Sequence, residues 1–450
     1  MTTRRHWLAF GLAACSSFGS FAFSSPDDLG ERTSSSVQTG TYEQPVLGEE
    51  YFQVGRRSAT EEQEIDAFRG LANDIARLQQ QVFEKHRREN GDIRRGFHAK
   101  DHGCFVGEMN VLDEEGFRSR FAALYPSRVS ATDLGATYRR LQQGLFKGAG
   151  SYPVLARFSN GRGFDEDDHK PEVRGLAFKV LGRWDGSPLD PTDPQVTTQD
   201  FLTTDMPVPM GDDGYEFMEF AKSEVSIAKR LDILVSHRQI AARLKEVFTS
   251  KRNQASLAVQ KYWAGAPYRL GPGQAVKFIL LPSPLDPAAM AARTTKHEPD
   301  YFRADLRERI QRGDIVFDYV VQFQTDPVRT PVEHALTEWT EDDAPPFPIA
   351  EVRLHKGQTV DEKSAASARN LFCESVSLTP WHTLAAHKPM GNLGRARLWV
   401  YDASVKHRSK ADAGGAARPD PTRAGVGVAD PVTLAEVRRI FGDFGPRGKP

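Results

Sequence analysis

The chain has 450 residues, of which 26% are charged and 10% aromatic, a composition typical of a globular protein with a sizeable core. Its formal net charge is −1, so the composition gives no electrostatic reason to expect a nucleic acid or an anionic lipid surface as a partner. Three cysteines are too few for a disulfide framework, and Cys104 is predicted to be a packed thiol.

Residues 1–25 have the order of an export signal. The run T-R-R-H-W-L resembles a twin-arginine signal and leads into an apolar segment over residues 7–14. The L-A-A-C run that follows resembles a bacterial lipobox, in which Cys15 becomes lipidated. The alternative is a plain signal peptide that is cut near Ser24 or Ser25. We therefore predict an exported, periplasmic protein whose membrane attachment is limited to the candidate lipid anchor at Cys15.

The next stretch changes from a spacer to a long helix. Residues 26–59 are rich in small polar residues and are predicted to form a flexible spacer. Thr60 begins a T-E-E-Q sequence with the form of a capping box. Apolar residues then recur at helical spacing as far as Asn90 and Gly91, which predicts one amphipathic helix.

Short extended segments, separated by glycine and proline, dominate the middle of the chain. They fall at 96–99, 104–112, 154–159, 173–181, 200–203, 275–281, 315–324 and 350–354. Helices are predicted at 114–125 and 132–141, twice within 214–262, and at 432–441 in an otherwise flexible tail, 411–450. Because strands and helices do not alternate regularly, the pattern favours an α+β fold: an antiparallel β-sheet or barrel with flanking helices.

The last long helix is predicted around R-A-R-L-W-V-Y-D-A-S-V-K-H-R, residues 395–408. Helical geometry places Arg397, Tyr401 and Arg408 within roughly 60° of one another on one face. A nearby cation favours the phenolate form of a tyrosine, and a phenolate is one of the protein groups that can bind a haem iron. The alternative interpretation is an amphipathic helix with a packed tyrosine and solvated arginines.

Three further segments decide between these interpretations. They are R-R-G-F-H-A-K-D-H-G-C-F-V-G at 94–107, A-R-F-S-N-G-R-G at 156–163 and T-T-D-M-P-V-P-M-G at 203–211. Together with R-x-x-x-Y at 397–401 they resemble, in order and spacing, the haem-pocket segments of the catalase family, and most of all the small bacterial catalase-related peroxidases. The resemblance implies a catalase-like haem domain over residues 60–410, with haem b as the cofactor.

On the proximal side, the resemblance implies that Tyr401 is the axial ligand of the haem iron. Arg397 would be the hydrogen-bond partner of this tyrosine. Three further arginines, Arg95, Arg157 and Arg408, match positions that contact the haem propionates.

On the distal side, the resemblance makes His98 the base that moves a proton between the two peroxide oxygens, with Ser159 supporting its ring. Phe217 matches a phenylalanine that packs on the porphyrin. The chain also departs from the family here: Thr204 stands where catalases have a catalytic asparagine, and Phe97 replaces a usual valine.

We therefore predict haem-dependent breakdown of hydrogen peroxide in the cell envelope. The partner is a small-molecule peroxide, with an organic electron donor if the enzyme is a peroxidase; no nucleic acid is expected, and a homo-oligomer is compatible with the sequence. One alternative is a peroxidase or isomerase of organic or lipid hydroperoxides, like allene oxide synthases. The other is a non-catalytic haem-binding lipoprotein.

Overall fold

The computed structural model describes residues 46–86, 93–182, 198–250, 254–283, 298–359, 368–411 and 432–444. The predicted export signal, including Cys15, lies outside the described residues.

Eight of the strands in the described residues close into an antiparallel barrel. Before it, β1 (Gln53–Val54) and β2 (Arg57–Ser58) form a small hairpin. The remaining strands are β3 (Asp101–Val111), β4 (Gly150–Asn160), β5 (Arg174–Val180), β6 (Gln199–Thr204), β7 (Tyr262–Ala264), β8 (Tyr268–Arg269), β9 (Ala275–Pro282), β10 (Ile315–Phe323) and β11 (Pro346–Leu354). The ring runs from β3 to β7, then through β9, β10 and β11 back to β3, while β8 pairs with β9 outside the ring. The predicted α+β fold with an antiparallel barrel is confirmed.

Aromatic side chains fill the inside of the barrel. The rings of Phe278 and Tyr319 stack with centroids 5.1 Å apart, and Phe105 meets Phe158 edge-on at 5.6 Å. A small barrel filled in this way is a packed core rather than a ligand cavity. Because side chains alternate along a strand, the neighbours of these aromatic residues face outward, toward the flanking helices.

Ten α-helices are present in the described residues. They are α1 (Glu61–Lys85), α2 (Glu114–Leu124), α3 (Leu134–Leu141), α4 (Gly214–Ser223), α5 (Ile227–Ser236), α6 (Arg238–Ser250), α7 (Tyr301–Arg312), α8 (Ala368–Ser375), α9 (Gly391–Ala411) and α10 (Leu434–Phe441). Helix α1 begins with the predicted capping box, in which Thr60 and Gln63 exchange side-chain to backbone hydrogen bonds. Its apolar face, with Phe68 and Ile75, packs against α4 and α9. Within the described residues, no helix is both long and apolar enough to cross a bilayer.

The prediction of two helices within 214–262 is wrong. The structure has three, followed by a short 3-10 turn and β7. The Ser226 hydroxyl accepts a hydrogen bond from the Lys229 N–H and so starts α5 as a separate helix. No glycine or proline marks this break in the sequence, and helical periodicity continues across it.

Part of the predicted spacer is folded. Gln53 is buried, its side-chain amide donates to the Glu333 carbonyl at 3.2 Å, and its own carbonyl accepts from Asn392 at 2.9 Å. The folded part of the chain therefore includes residues 46–59, ahead of the predicted boundary at residue 60. In the predicted tail, α10 packs through Val437 against Phe372 of α8.

The prediction that Cys104 is a packed thiol is wrong. Cys104 forms a disulfide with Cys373, 269 residues away in the sequence, with Cα atoms 5.7 Å apart. The bond joins β3 to α8. Cysteine number alone could not reveal this pair, because the two residues come together only after the barrel and its flanking helices have formed.

Candidate functional site

All of the site residues predicted from the sequence line one cavity of about 250 Å³. The cavity lies between the outer face of β4, β5 and β6 and the helices α1, α4, α6 and α9. The predicted residues on its wall are Arg95, His98, Arg157, Ser159, Thr204, Phe217, Arg397, Tyr401 and Arg408. Residues separated by up to 313 positions in the printed sequence thus form a single site.

His98 is held in an unusual backbone conformation just before β3. Its φ of +56° is in the left-handed region that non-glycine residues seldom adopt. The loop after β4 holds it there, because the His98 N–H donates to the Gly161 carbonyl and the Ala99 N–H to the Arg162 carbonyl, each at 2.9 Å. Local strain kept in place by surrounding contacts is a common feature of functional sites.

The His98 ring lies over a row of small residues on the barrel. Ser159, Gly175 and Thr204 are direct register partners on β4, β5 and β6. His98 Nδ1 and Ser159 Oγ are hydrogen bonded at 3.1 Å. A Cβ atom on Gly175 would lie 2.6 Å from His98 Nδ1, so the ring needs a glycine beneath it. The Thr204 hydroxyl donates to the Met206 carbonyl at 3.4 Å.

Burial and the neighbouring guanidinium groups lower the pKa of His98 to about 3. The ring is therefore neutral at physiological pH. When its Nδ1–H donates to Ser159 Oγ, the Nε2 lone pair is left to accept a proton. A neutral imidazole with one fixed nitrogen has the properties of a general base.

Two arginines, the buried Arg157 and the partly buried Arg95, donate to backbone carbonyls beside the cavity. Arg157 donates to the carbonyls of His98 and Ala99 at 2.8 and 3.2 Å. Arg95 donates through Nη2 to three carbonyl oxygens at the end of α8 and just beyond it, at 2.6 to 3.2 Å. Arg408 of α9 donates to one of the same carbonyls at 3.0 Å.

Arg95, Arg157 and Arg408 bring their positive charges close together in this cluster. Burial, together with the charges of Arg157 and Arg408, lowers the pKa of Arg95 well below its usual value. The Nε atoms of Arg95 and Arg157 are buried and find no hydrogen-bond partner in the part of the chain that the structure describes. Glu374 is the acidic neighbour of Arg157, at 4.0 Å. The arrangement suits an anionic ligand, because carboxylates pair well with guanidinium groups.

The disulfide supports this arginine cluster from behind. Cys373 contributes one of the carbonyl oxygens that hold Arg95, and its sulfur is bonded to Cys104 on β3. The end of α8 is thereby fixed to the strand that follows His98. The two sides of the cluster, His98 with Arg157 and α8 with Arg95, are connected by one covalent bond.

Helix α9 is oriented by a buried ion-pair network on its other side. Arg395 lies 2.7 to 2.9 Å from the carboxylates of Glu50, Glu64 and Glu333. These carboxylates hold the pKa of Arg395 above its usual value despite burial. Arg395 therefore anchors the helix, while Arg397 lines the cavity.

Tyr401 lines the cavity one helical turn after Arg397. The Nη1 atom of Arg397 is buried without a hydrogen-bond partner among the described residues, and a Cβ atom on Gly265 would lie 3.0 Å from its Nη2. Sequence reasoning missed Tyr268, which lies near both residues. Burial raises the pKa of Tyr268 to about 12, and the positive charge of Arg397 partly opposes this rise.

One part of the cavity wall is apolar. Phe97 and Phe217 meet edge-on with ring centroids 5.3 Å apart. The other apolar residues on this wall come from the loop after β6 and from α4 and α6: Met206, Val208, Pro209, Met210, Phe220, Leu244, Val247 and Phe248. A wall of this composition accommodates organic as well as inorganic ligands.

Two glutamates on the cavity wall, Glu172 and Glu224, were also missed. Glu224, just after α4, lines the cavity, and burial raises its pKa to about 7. Its nearest cation is Arg162, at 3.8 Å. Neither spacing nor a motif distinguishes Glu224 from a surface glutamate, so only the fold identifies it.

Comparisons with known proteins agree with the barrel fold described above. No protein-family model matches the chain. A catalase-related peroxidase of Mycolicibacterium paratuberculosis is 26% identical over 275 residues, which are 59% of this chain and 81% of the relative. A bacterial catalase structure superposes with a TM-score of 0.53 at 16% identity, over 84% of this chain and 66% of that one. A fungal catalase gives a TM-score of 0.53 at 15% identity, over 89% and 74%.

These matches establish the fold and support peroxide chemistry in general, since the relatives are catalases and a peroxidase. The chain spans 66% of the length of the bacterial catalase. The chain therefore has a catalase-like fold, and its sequence resembles that of a catalase-related peroxidase.

Proposed function

We propose that the protein is a haem-dependent enzyme that breaks down hydrogen peroxide. The observation that carries this proposal is the set of buried guanidinium nitrogens on residues of one cavity: Nε of Arg95, Nε of Arg157 and Nη1 of Arg397 have no partner in the described part of the chain. An anionic cofactor bound between these groups would supply the missing acceptors.

Haem b fits this donor set. Arg95, Arg157 and Arg408 would bind its two propionates, and Tyr401, on the same helix as Arg408, would bind its iron as a phenolate. Arg397 would moderate the negative charge of that phenolate. The bound haem would supply the redox chemistry that cleaves the O–O bond.

The side chains of the protein would transfer the proton between the two oxygens of the peroxide. His98 Nε2 accepts a proton from the incoming peroxide and returns it to the oxygen that leaves as water. Ser159 keeps the ring in the orientation and tautomer that this transfer needs. The apolar wall around Phe97 and Phe217 limits competing water near the reacting oxygen.

The test is oxygen release from hydrogen peroxide, followed on an oxygen electrode with haem-loaded protein. We expect rapid oxygen evolution that is lost in His98→Ala at equal haem occupancy. Full haem occupancy with neither oxygen evolution nor oxidation of any organic donor would instead indicate a non-catalytic haem-binding protein.

A second candidate is the reduction or rearrangement of organic hydroperoxides. It is favoured by the apolar wall of the cavity, and by Thr204, which stands where catalases have an asparagine and donates its hydroxyl to the Met206 carbonyl. Comparison of hydrogen peroxide with cumene hydroperoxide and a fatty-acid hydroperoxide separates the two candidates. Higher kcat/KM for the bulky substrates, with little oxygen evolution, would favour the second.

We further propose that the protein is exported to the periplasm. The Cys104–Cys373 disulfide supports this location, because such bonds persist in oxidising compartments and are rare in the cytosol. Cell fractionation of the wild type and of Cys15→Ser tests both export and lipidation. Cytosolic protein with free thiols would contradict the proposal.

A further inference from the structure

Helix α5 leaves an apolar face uncovered. Ile227, Leu231, Leu234 and Val235 are exposed at 75%, 60%, 55% and 79%. Their spacing of four, three and one residues places them on a single face of the helix. Large apolar side chains that are this exposed and contiguous mark an interaction surface in a soluble protein.

The charges on and beside this face are predominantly basic. Among the charged residues of α5 and α6, the three most exposed to solvent are basic: Arg230, Arg238 and Lys245. Each of the two acidic residues of these helices lies within 4 Å of a cation of the same helix, Asp232 of Lys229 at 3.8 Å and Glu246 of Arg243 at 2.6 Å. Lys229 also pairs with Glu219 of α4, at 2.7 Å. The surface therefore combines apolar side chains with positive charge, although the whole chain has a net charge near zero.

The same surface reaches the mouth of the cavity. Phe248 of α6 is 46% exposed and also lines the cavity, together with Leu244 and Val247 of the same helix. An object bound to the exposed faces of α5 and α6 would therefore lie next to the apolar wall of the site.

We propose that the exposed faces of α5 and α6 dock on an anionic phospholipid bilayer. An interfacial helix with apolar residues on one face and basic residues beside them is the pattern that binds such surfaces, through apolar burial and attraction to lipid headgroups. Docking places the cavity mouth at the lipid, where apolar peroxides and donors partition. The proposal concerns binding and does not depend on the reaction that the cavity performs.

The test is co-sedimentation of the full chain with vesicles, in a Cys15→Ser background that removes the candidate lipid anchor. Vesicles of phosphatidylcholine alone are compared with vesicles that also contain phosphatidylglycerol. The double variant Leu231→Glu, Val235→Glu should bind the anionic vesicles at least about tenfold more weakly. Arg238→Gln and Lys245→Gln should each weaken binding by about fivefold, and added salt should do the same.

Val328→Glu is the matched control, because Val328 is 72% exposed but lies outside these helices. It should bind vesicles as the parent protein does, and circular dichroism should show all variants folded. Equal vesicle binding by the parent and the double variant would overturn the proposal. A second outcome would also overturn it: the parent binds neither kind of vesicle and forms an oligomer that the double variant abolishes. A second copy of the chain would then cover this face.

Discussion

The place of the His98 ring over Gly175 allows a sharp test of the catalytic assignment. In Gly175→Ala the new Cβ atom would lie 2.6 Å from both Nδ1 and Cε1 of the ring, and 3.1 Å from Ser159 Oγ. Ordinary contacts begin near 3.4 Å. The ring must therefore move by roughly 1 Å, a displacement that typically costs a catalytic group about a hundredfold in rate.

The assay is kcat/KM for hydrogen peroxide at equal haem occupancy, with occupancy measured from the Soret absorbance. We expect a loss of about a hundredfold in Gly175→Ala, with unfolding destabilised by no more than about 1–3 kcal/mol. Gly150→Ala is the control, because its new Cβ atom would meet the Tyr152 ring at an ordinary 3.6 Å. Activity of Gly175→Ala within a few-fold of the wild type would refute the role of His98 as the base in this position.

Three further predictions concern cofactor binding and stability. Arg95→Gln should weaken haem binding by about tenfold to a hundredfold in a spectroscopic titration, since a hydrogen bond to a charged group contributes about 1.5–3 kcal/mol. Cys104→Ser should lower the free energy of unfolding by about 2–5 kcal/mol in denaturant titrations and should also weaken haem binding, because the bond fixes the carbonyls that hold Arg95. Burial raises the pKa of Glu224 from 4.5 to about 7. The contribution of its protonated carboxyl group to the stability of the fold is therefore complete below pH 4.5 and is lost as the pH rises through 7. The difference in unfolding free energy between Glu224→Gln and the wild type should therefore rise, in favour of the variant, by about 3 kcal/mol from about pH 4.5 to about pH 8. A difference that does not change with pH would show that Glu224 is not buried as a carboxylate.

The sequence predicted the barrel, and it picked out several residues that line the cavity, because the signals for them are local. Helical spacing identified the shared face of Arg397 and Tyr401, and a capping box marked the start of α1. The motif around His98 likewise occupies one short stretch. Residue types and spacing in each stretch are enough to identify it, wherever the rest of the chain goes.

The features that were missed depend on contacts between distant segments. Gly175 matters because β5 brings it under a ring from another loop, and Cys104 meets a partner 269 residues away. The basic and apolar face of α5 was hidden in the sequence by an overall charge near zero. Strand register, disulfide pairing and the charge of a surface depend on which segments the fold brings together. Overall composition does not show them.

The central claim is that this cavity binds haem through Tyr401. It is tested most directly by titrating ferric haem into the wild type and Tyr401→Phe, with Tyr215→Phe, an exposed tyrosine on α4, as the control. We expect the wild type and Tyr215→Phe to bind haem with one common ferric spectrum, and Tyr401→Phe to bind far more weakly with a different one. An unchanged affinity and spectrum in Tyr401→Phe would contradict the assignment of the iron ligand and the function built on it.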